Sequence, residues 1–266
     1  MNILLPMAGA GQRFAQAGYK TSKPLIPLTS RFNGEQVPMV VAAISDLPHA
    51  KDQAKKILVI DRDFHKEQGV EDTIQDYFPN AQFLTLKELT EGQASTCLLG
   101  KSALPADEEL IIGACDNGMD ANPEKFDQLR KKYDALIFTY RNHDLVLENP
   151  KAHGWVKITE DGSTVTGMSV KQPISDNPMN DHAVVGAFWF RKAADFFRLT
   201  EKMIDLDDRI NYEFYVDKVF DHFLKDGLNV GVFELERYHC WGTPRDYENY
   251  ENTLKYWRDF ASKEFQ

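Results

Sequence analysis

Short apolar runs alternate with segments of helical spacing through the first half of the chain, and this alternation limits the fold more than any other feature. The apolar runs predict buried or half-buried strands at Asn2–Pro6, Lys56–Ile60, Ala81–Leu86, Glu109–Gly113 and Asp134–Tyr140. The segments between them predict helices over Met39–Leu47, Gln68–Phe78, Gln93–Leu104 and Pro123–Tyr133. Strands that alternate with helices form parallel βαβ units, so we expect a mostly parallel sheet here.

The second half has a different pattern. Asp161-Gly162, a frequent hairpin turn pair, separates the strand-like segments Gly154–Thr159 and Thr164–Val170. Further strands are predicted at Ala183–Phe190 and Asn229–Glu236, and helices over Lys192–Met203, Tyr212–Lys225 and Pro244–Ser262. We therefore predict an α/β fold, with a mostly parallel, Rossmann-like sheet flanked by helices and an antiparallel insertion. A single domain over residues 1–266 fits better than two separable ones, with halves at 1–145 and 146–266.

Charge and composition exclude several classes of partner. The net charge is −10, whereas nucleic acids and anionic membranes bind basic surfaces, so we expect neither as a partner. The longest apolar runs are far shorter than the roughly 20 residues that cross a bilayer. The three cysteines, Cys97, Cys115 and Cys240, form no C-x-x-C pair. We therefore expect reduced thiols in a cytoplasmic protein.

A glycine-containing loop follows the first strand directly, in the order Pro6-Met7-Ala8-Gly9-Ala10-Gly11-Gln12-Arg13-Phe14. Its glycines let the backbone approach a ligand, and its N–H groups can point at phosphate oxygens. A dinucleotide fingerprint needs a third glycine where Phe14 stands, and a P-loop needs Gly-Lys-Ser/Thr, which is absent. Arg13 and Lys23 come after the glycines, and a triphosphate attacked at its α-phosphorus needs such cations.

This N-terminal arrangement resembles the signature of the sugar-phosphate nucleotidyltransferase superfamily, which is Gly-x-Gly-x-Arg, a spacer and Lys-Pro-Leu. The matching residues here are Gly9, Gly11, Arg13, Lys23, Pro24 and Leu25. The resemblance implies the nucleotide-diphospho-sugar transferase fold and an enzyme that joins an NTP to a sugar 1-phosphate or a similar small phosphorylated acceptor, releasing pyrophosphate. It also implies a role in nucleotide-sugar and polysaccharide biosynthesis.

The resemblance implies roles for the loop and for the cations behind it. Arg13 would grip the outgoing pyrophosphate, and Lys23 would steady charge near the α-phosphate. The other nucleotide-binding residues would be Met7, Ala8, Gly9, Ala10 and Gly11 of the loop, then Gly92 and Gln93, where Glu91-Gly92-Gln93 opens a helix. Residues 1–145 would thus form the nucleotide-binding half and residues 146–266 the acceptor-binding half.

Later segments imply a metal and an acceptor site. Asp116 ends a buried strand, where parallel sheets bind ligands, and carboxylate oxygen is the ligand that Mg²⁺ prefers. The resemblance implies that Asp116 holds Mg²⁺ beside the nucleotide, that Asn117 and Gly154 lie at the acceptor, and that Lys171 contacts the acceptor phosphate. Catalysis would then consist of positioning and charge neutralisation by Arg13, Lys23, Lys171 and the metal.

The chain departs from the superfamily pattern at two positions. Val170 stands where hexose-using members usually carry a Glu that holds sugar hydroxyls, and Cys240 stands where they commonly carry a metal-binding Asp. A thiol is a poor Mg²⁺ ligand, so we expect a second carboxylate from Glu213 or Asp217, which would share a face of one helix. We assign Asp217 to the metal and Glu213 to the acceptor, and expect weak or no activity with glucose 1-phosphate.

Three alternative functions stay open. The first is a cytidylyltransferase for a non-sugar phosphate such as a phosphocholine-like group. The second is a glycosyltransferase that uses a finished nucleotide-sugar, although such enzymes normally bind Mn²⁺ through Asp-x-Asp and Asp116-Asn117-Gly118 lacks the second Asp. The third is a regulatory nucleotide-binding protein without turnover. The base, the acceptor and self-association into a homo-oligomer are left open as well.

Overall fold

The computed structural model describes residues 1–9 and 11–264 of the chain. Its strands, in chain order, are β1 (Asn2–Pro6), β2 (Pro27–Thr29), β3 (Gln36–Pro38), β4 (Lys56–Arg62), β5 (Ala81–Leu86), β6 (Leu110–Ile112), β7 (Asn117–Asp120), β8 (Ala135–Tyr140), β9 (Gly154–Ile158), β10 (Val165–Val170), β11 (His182–Phe190), β12 (Val230–Glu234) and β13 (Arg237–Cys240). Its helices are α1 (Gln12–Gln16), α2 (Met39–Asp46), α3 (Asp63–Glu67), α4 (Val70–Tyr77), α5 (Gln93–Leu98), α6 (Pro123–Leu129), α7 (Leu145–Glu148), α8 (Ala193–Asp205), α9 (Val216–Lys225) and α10 (Pro244–Glu264). Single 3₁₀ turns lie at Lys23–Leu25, Lys101–Ala103, Pro150–Ala152 and Pro178–Asn180.

Nine of these strands form one central sheet. Its order is β5-β4-β1-β6-β11, after which β9 and β10 continue from β11 on one side and β8 and β12 on the other. Seven of the nine strands run in the same direction, and only β10 and β11 run opposite to them. The predicted mostly parallel sheet with an antiparallel insertion is therefore confirmed.

Strand β11 is the point at which the sheet forks. Near its start Ala183 pairs with Trp155 of β9 on one side and with Tyr140 of β8 on the other. Its last residues pair with β6 and again with β8. Because β8 stays on one side, β6 and β9 lie in succession along the other side and leave a gap between them. The register shifts beside this gap, where Gly186 has a φ of 92°.

Apolar side chains are buried on both faces of the sheet. Ile3 and Leu5 of β1 face one core layer, which includes residues of α2 and α4. Leu4 faces the other layer with residues of α5, α8 and α9. Parallel strands covered on both faces are expected to be apolar throughout, which is why β1 could be recognised from its sequence.

Several predicted boundaries differ from the structure. Helix α5 ends at Leu98 rather than continuing to Leu104, and α9 begins at Val216 rather than at Tyr212. The late start of α9 has a local cause, because Asn211 and Tyr212 have φ values of 50° and 66°, which a right-handed helix cannot contain. Among the described helices, none combines the length and apolar character needed to cross a membrane.

Candidate active site

The glycine loop lies at the carboxyl end of β1. The Met7 N–H extends the strand pairing by donating to the Ile60 carbonyl at 2.7 Å, and both Met7 and Ala8 are buried. Gly11 precedes α1 with a left-handed φ of 60°, which explains the need for glycine there. Among the described residues other than the chain neighbours, no atom lies within 4 Å of a Cβ placed on Gly9 or Gly11, so these two positions face open space. Ala10 lies outside the described residues.

Lys23 lies beside this loop. A recess of about 160 Å³ is lined by Gly11, Gln12, Arg13, Phe14, Lys23 and Gly242. The Lys23 Nζ atom forms an ion pair of 2.5 Å with Asp116 Oδ2 and donates to the Gly242 carbonyl at 3.2 Å. Burial alone would lower the pKa of Lys23, but the Asp116 carboxylate outweighs it and raises the pKa above its ordinary value. Lys23 is therefore held as an ammonium group beside the loop, with the exposed Arg13 on the same recess.

Asp116 is held at the gap between β6 and β9. It follows β6 and precedes β7, and its carbonyl accepts the Trp241 N–H at 3.0 Å. The next side chain, Asn117, is buried and donates to the Val185 carbonyl at 3.1 Å, which ties this corner to β11 beside its bulge. In the antiparallel pair β7–β13, Asn117 lies opposite Cys240. Neither of these short strands has a sequence pattern that predicts it.

A buried ion cluster, which the sequence also did not predict, holds β7 against α2. Arg31 pairs through Nη1 with Asp46 of α2 at 2.9 Å and through Nε with Asp120 of β7 at 2.7 Å. Only 12% of the Arg31 side chain and 6% of the Asp46 side chain are exposed. The Met119 N–H donates to the same Asp46 oxygen at 3.1 Å. The strand that begins one residue after Asp116 is therefore tied to α2.

A second cluster forms around the start of β9. Asp217, in the first turn of α9, lies so close to Gly154 that a Cβ at position 154 would be 2.2 Å from its Oδ2. Burial raises the pKa of Asp217 to about 6, although the positive charge of Lys171 opposes this rise. Lys171 has a left-handed φ of 62°, and its ammonium group donates to the Ala152 carbonyl at 2.5 Å. Gly154, Lys171 and Asp217 are therefore brought together.

The predicted convergence of Glu213 and Asp217 on one helix face is wrong. Glu213 is exposed and lies before α9, in a turn where its N–H and carbonyl both bond to Ile210. Its assignment to the acceptor stays a prediction, without the helical argument that supported it.

Gly92 and Gln93 open α5, as predicted. Gly92 has a φ of 127°, and a Cβ there would lie 2.6 Å from the backbone N and O of Phe214. The Phe214 N–H donates to the Glu91 carbonyl at 2.8 Å, and the Ala94 N–H donates to the Phe214 carbonyl at 2.9 Å. Glycine is required because two backbones meet here. These bonds connect the predicted nucleotide-binding half to the segment that leads into α9.

Asp116 offers a carboxylate that suits Mg²⁺ at the corner beside Gly242. Within residues 1–9 and 11–264, no three His, Cys, Asp or Glu side chains are grouped closely enough to hold a metal ion. The Cβ position of Gly242 lies 3.6 Å from both Asp116 Oδ2 and Cys240 Sγ, so a carboxylate and a thiol face this corner. Burial raises the pKa of Cys240 to about 12, which keeps it a neutral thiol. Mg²⁺ often binds through one carboxylate plus substrate phosphates, and Asp116 fits that arrangement.

Comparisons with known proteins define the fold. No protein-family model and no curated protein sequence match the chain. Solved structures do match. A nucleoside-diphosphate-sugar pyrophosphorylase from Vibrio cholerae RC9 has a TM-score of 0.76 at 19% identity, covering 93% of this chain and 98% of that one. The inositol-1-phosphate CTP transferase from T. maritima has a TM-score of 0.65 at 15% identity, covering 96% of each chain. A UDP-glucose pyrophosphorylase complexed with UDP-glucose has a TM-score of 0.69 at 15% identity, covering 97% of this chain and 98% of that one. At these identities the likeness concerns the fold, and the chain has the nucleotidyltransferase-type α/β fold that these three proteins share.

Proposed function

We propose that the protein is a nucleotidyltransferase that joins an NTP to a small phosphorylated acceptor and releases pyrophosphate. The observation that supports it most is the pairing of Lys23 with Asp116 beside an open glycine loop. The Lys23 ammonium group and the Asp116 carboxylate, 2.5 Å apart, neutralise each other's charge. A triphosphate can separate them, because its oxygens attract the ammonium group and its metal attracts the carboxylate.

The chemistry that these residues support is an in-line displacement. An oxygen of the acceptor phosphate forms a bond to the α-phosphorus, and the bond from that phosphorus to the β-phosphate oxygen breaks. Pyrophosphate leaves with the electron pair of that bond, and no covalent enzyme intermediate forms. Asp116 would hold Mg²⁺, which supplies charge neutralisation on the phosphates when bound. Arg13 and Lys23 would stabilise charge on the triphosphate from the recess beside the loop.

Lys171 would hold the acceptor phosphate across the gap between β6 and β9. It is anchored by two bonds, from its N–H to the His153 carbonyl at 3.0 Å and from its Nζ to the Ala152 carbonyl. Its left-handed backbone is a strained conformation, and such strain is concentrated at functional sites. Asp217 lies close enough to Lys171 to offset part of its positive charge. We propose Asp217 as a ligand to the acceptor or to its metal.

Within this class, the acceptor that we propose is a sugar 1-phosphate or a similar small phosphate, with the product used for polysaccharide biosynthesis in the cytoplasm. A second candidate is the transfer of a cytidylyl group to a phosphate of a non-hexose compound. Val170 favours it, because this residue is 8% exposed and places an apolar side chain directly before Lys171. One of the structures with the same fold is itself an inositol-1-phosphate CTP transferase.

The test is pyrophosphate release for each NTP against a panel that contains glucose 1-phosphate, inositol 1-phosphate and phosphocholine, with Mg²⁺ present. We expect one NTP and one acceptor to stand out, and glucose 1-phosphate to be a poor substrate because Val170 cannot accept a hydrogen bond from a sugar hydroxyl. Asp116→Asn serves as the inactive control. A folded protein that releases no pyrophosphate with any pair would contradict the proposed function, and fast turnover of glucose 1-phosphate would contradict the acceptor assignment.

A further inference from the structure

Tyr212 has a backbone conformation that its side chain disfavours. Asn211 and Tyr212 have φ values of 50° and 66° and form the centre of a two-residue turn. Ile210 and Glu213 close the turn through two N–H to carbonyl bonds, each of 3.0 Å. Left-handed φ at both central positions defines a type I′ hairpin turn, in which Asn-Gly is the preferred pair. A glycine at position 212 would be relaxed, whereas a tyrosine is strained.

Packing does not compensate for this strain. The Tyr212 side chain is 88% exposed, so its ring gains almost nothing from burial in the fold. A bulky residue that is both strained and exposed indicates a role in binding rather than in stability.

The turn that carries Tyr212 has a fixed base. Phe214 is fully buried and exchanges backbone hydrogen bonds with Glu91 and Ala94. The Arg209 guanidinium group lies 4.3 Å from the centre of the Phe214 ring and pairs with Glu91 at 3.1 Å. The tyrosine is therefore presented from an anchored turn rather than from a free loop.

The segment that follows the turn contacts residues assigned to both halves of the candidate site. On one side, the Phe214 backbone touches Gly92, which opens the predicted nucleotide-binding helix α5. On the other side, Tyr215 lies beneath Lys171, whose Nζ is 5.3 Å from the centre of its ring. Two residues later, Asp217 lies against Gly154. Tyr212 therefore stands only three residues before Tyr215 and five before Asp217, at the start of a segment that ordered contacts hold against the acceptor cluster.

We infer that Tyr212 determines acceptor specificity by packing its ring against the carbon skeleton of the acceptor, beyond the phosphate that Lys171 holds. This inference rests on the proposed function. A tyrosine ring offers an apolar face to C–H groups and a hydroxyl to polar ones, which suits a polyhydroxylated or amino-alcohol phosphate. The contact makes and breaks no covalent bond, so its effect falls on acceptor binding.

Three variants distinguish the effect of the Tyr212 ring from the effect of the strained backbone. Tyr212→Gly removes both, Tyr212→Phe keeps the ring, and Asn211→Gly relieves strain at the neighbouring position while the ring remains. Pyrophosphate release gives the KM for each substrate, and thermal unfolding gives the stability. For Tyr212→Gly we expect an unchanged or higher Tm, an acceptor KM raised about tenfold and an NTP KM within about twofold of the parent. Tyr212→Phe and Asn211→Gly should each keep the acceptor KM within about threefold.

The outcomes distinguish the inference from the function on which it rests. An unchanged acceptor KM in Tyr212→Gly, or a rise confined to the NTP KM, overturns the inference while turnover by the parent protein supports the proposed function. A lower Tm with parallel losses for both substrates indicates a structural residue and overturns it as well. If the parent protein releases no pyrophosphate with any pair, the proposed function is wrong and the inference falls with it.

Discussion

Asp61 is a buried acid whose ionisation should destabilise the protein at neutral pH. It lies near the end of β4, it is fully buried, and within residues 1–9 and 11–264 neither carboxylate oxygen accepts a hydrogen bond of good geometry. Burial raises its pKa from 3.8 to about 6; the nearby Thr85 hydroxyl opposes this rise, and the negative charge of Glu71 adds to it. Because the folded-state pKa exceeds that of the unfolded chain, the folded state binds more protons between these values. Stability from this group is complete below pH 3.8 and is lost as the pH rises through about 6.

The size of the stability change follows from the pKa shift of Asp61. A difference of about two pKa units corresponds to about 3 kcal/mol of unfolding free energy over the whole titration. About 2 kcal/mol of it falls between pH 4 and pH 8, because the unfolded carboxyl group is already partly ionised at pH 4. Asp61→Asn has nearly the same shape but does not ionise, so the variant should lack this loss. The pH-independent cost of burying an amide cancels when the two pH values are compared. We therefore expect the stability of Asp61→Asn relative to the parent to increase by about 2 kcal/mol from pH 4 to pH 8.

Urea unfolding of both proteins at several pH values between 4 and 8 measures this change. Asp76→Asn is the matched control, because it makes the same chemical change at an aspartate that is exposed on α4. A stability difference for Asp61→Asn that does not change with pH, or that changes in the opposite direction, would refute the reasoning about Asp61.

Three further predictions concern the candidate site and its support. Asp116→Asn should lower kcat by about 10²-fold or more without changing the circular dichroism spectrum, because it removes a carboxylate that pairs with Lys23 and would hold the metal. Normal turnover would exclude Asp116 from the reaction. Arg13→Ala should weaken NTP binding by roughly 2–4 kcal/mol in calorimetry, and an unchanged affinity would show that Arg13 does not bind phosphate. Arg31→Met should lower the unfolding free energy by about 3–5 kcal/mol, because it leaves Asp46 buried without its cation; a loss below about 1 kcal/mol in urea unfolding would show that Asp46 finds another partner or water.

Local sequence pattern was sufficient for the parts of the site that lie at strand ends. Lys23 and Asp116 are 93 residues apart, yet both follow the carboxyl ends of strands in a mostly parallel sheet. That geometry brings such residues to one edge of the sheet, and the superfamily resemblance assigned both to the nucleotide, but neither predicted their ion pair of 2.5 Å. Gly92 was recognised as a helix opening, although its contact with Phe214 was not.

Contacts between distant segments could not be predicted in this way. The strands β7 and β13 have four residues each and no clear alternation of apolar and polar residues. They are far apart in the sequence, so only the folded chain brings them together. Arg31 gave no local signal, because a single arginine in a loop is ordinarily solvated and its burial depends on Asp46 and Asp120. The error at Glu213 arose from treating Tyr212 as helical, since helix-like spacing does not reveal a left-handed turn.

The fork at β11 has a consequence for the synthesis of this chain on the ribosome. β6 and β8 lie on opposite sides of β11, which spans His182–Phe190, so each has an open edge until the ribosome has made that segment. Unpaired N–H and carbonyl groups beside buried apolar side chains are a template for association with other chains. A nascent or truncated chain that stops before β11 should therefore depend on chaperones or aggregate. The expressed fragment 1–145 should be insoluble, whereas one that extends through β12 at Glu234 includes every strand of the central sheet.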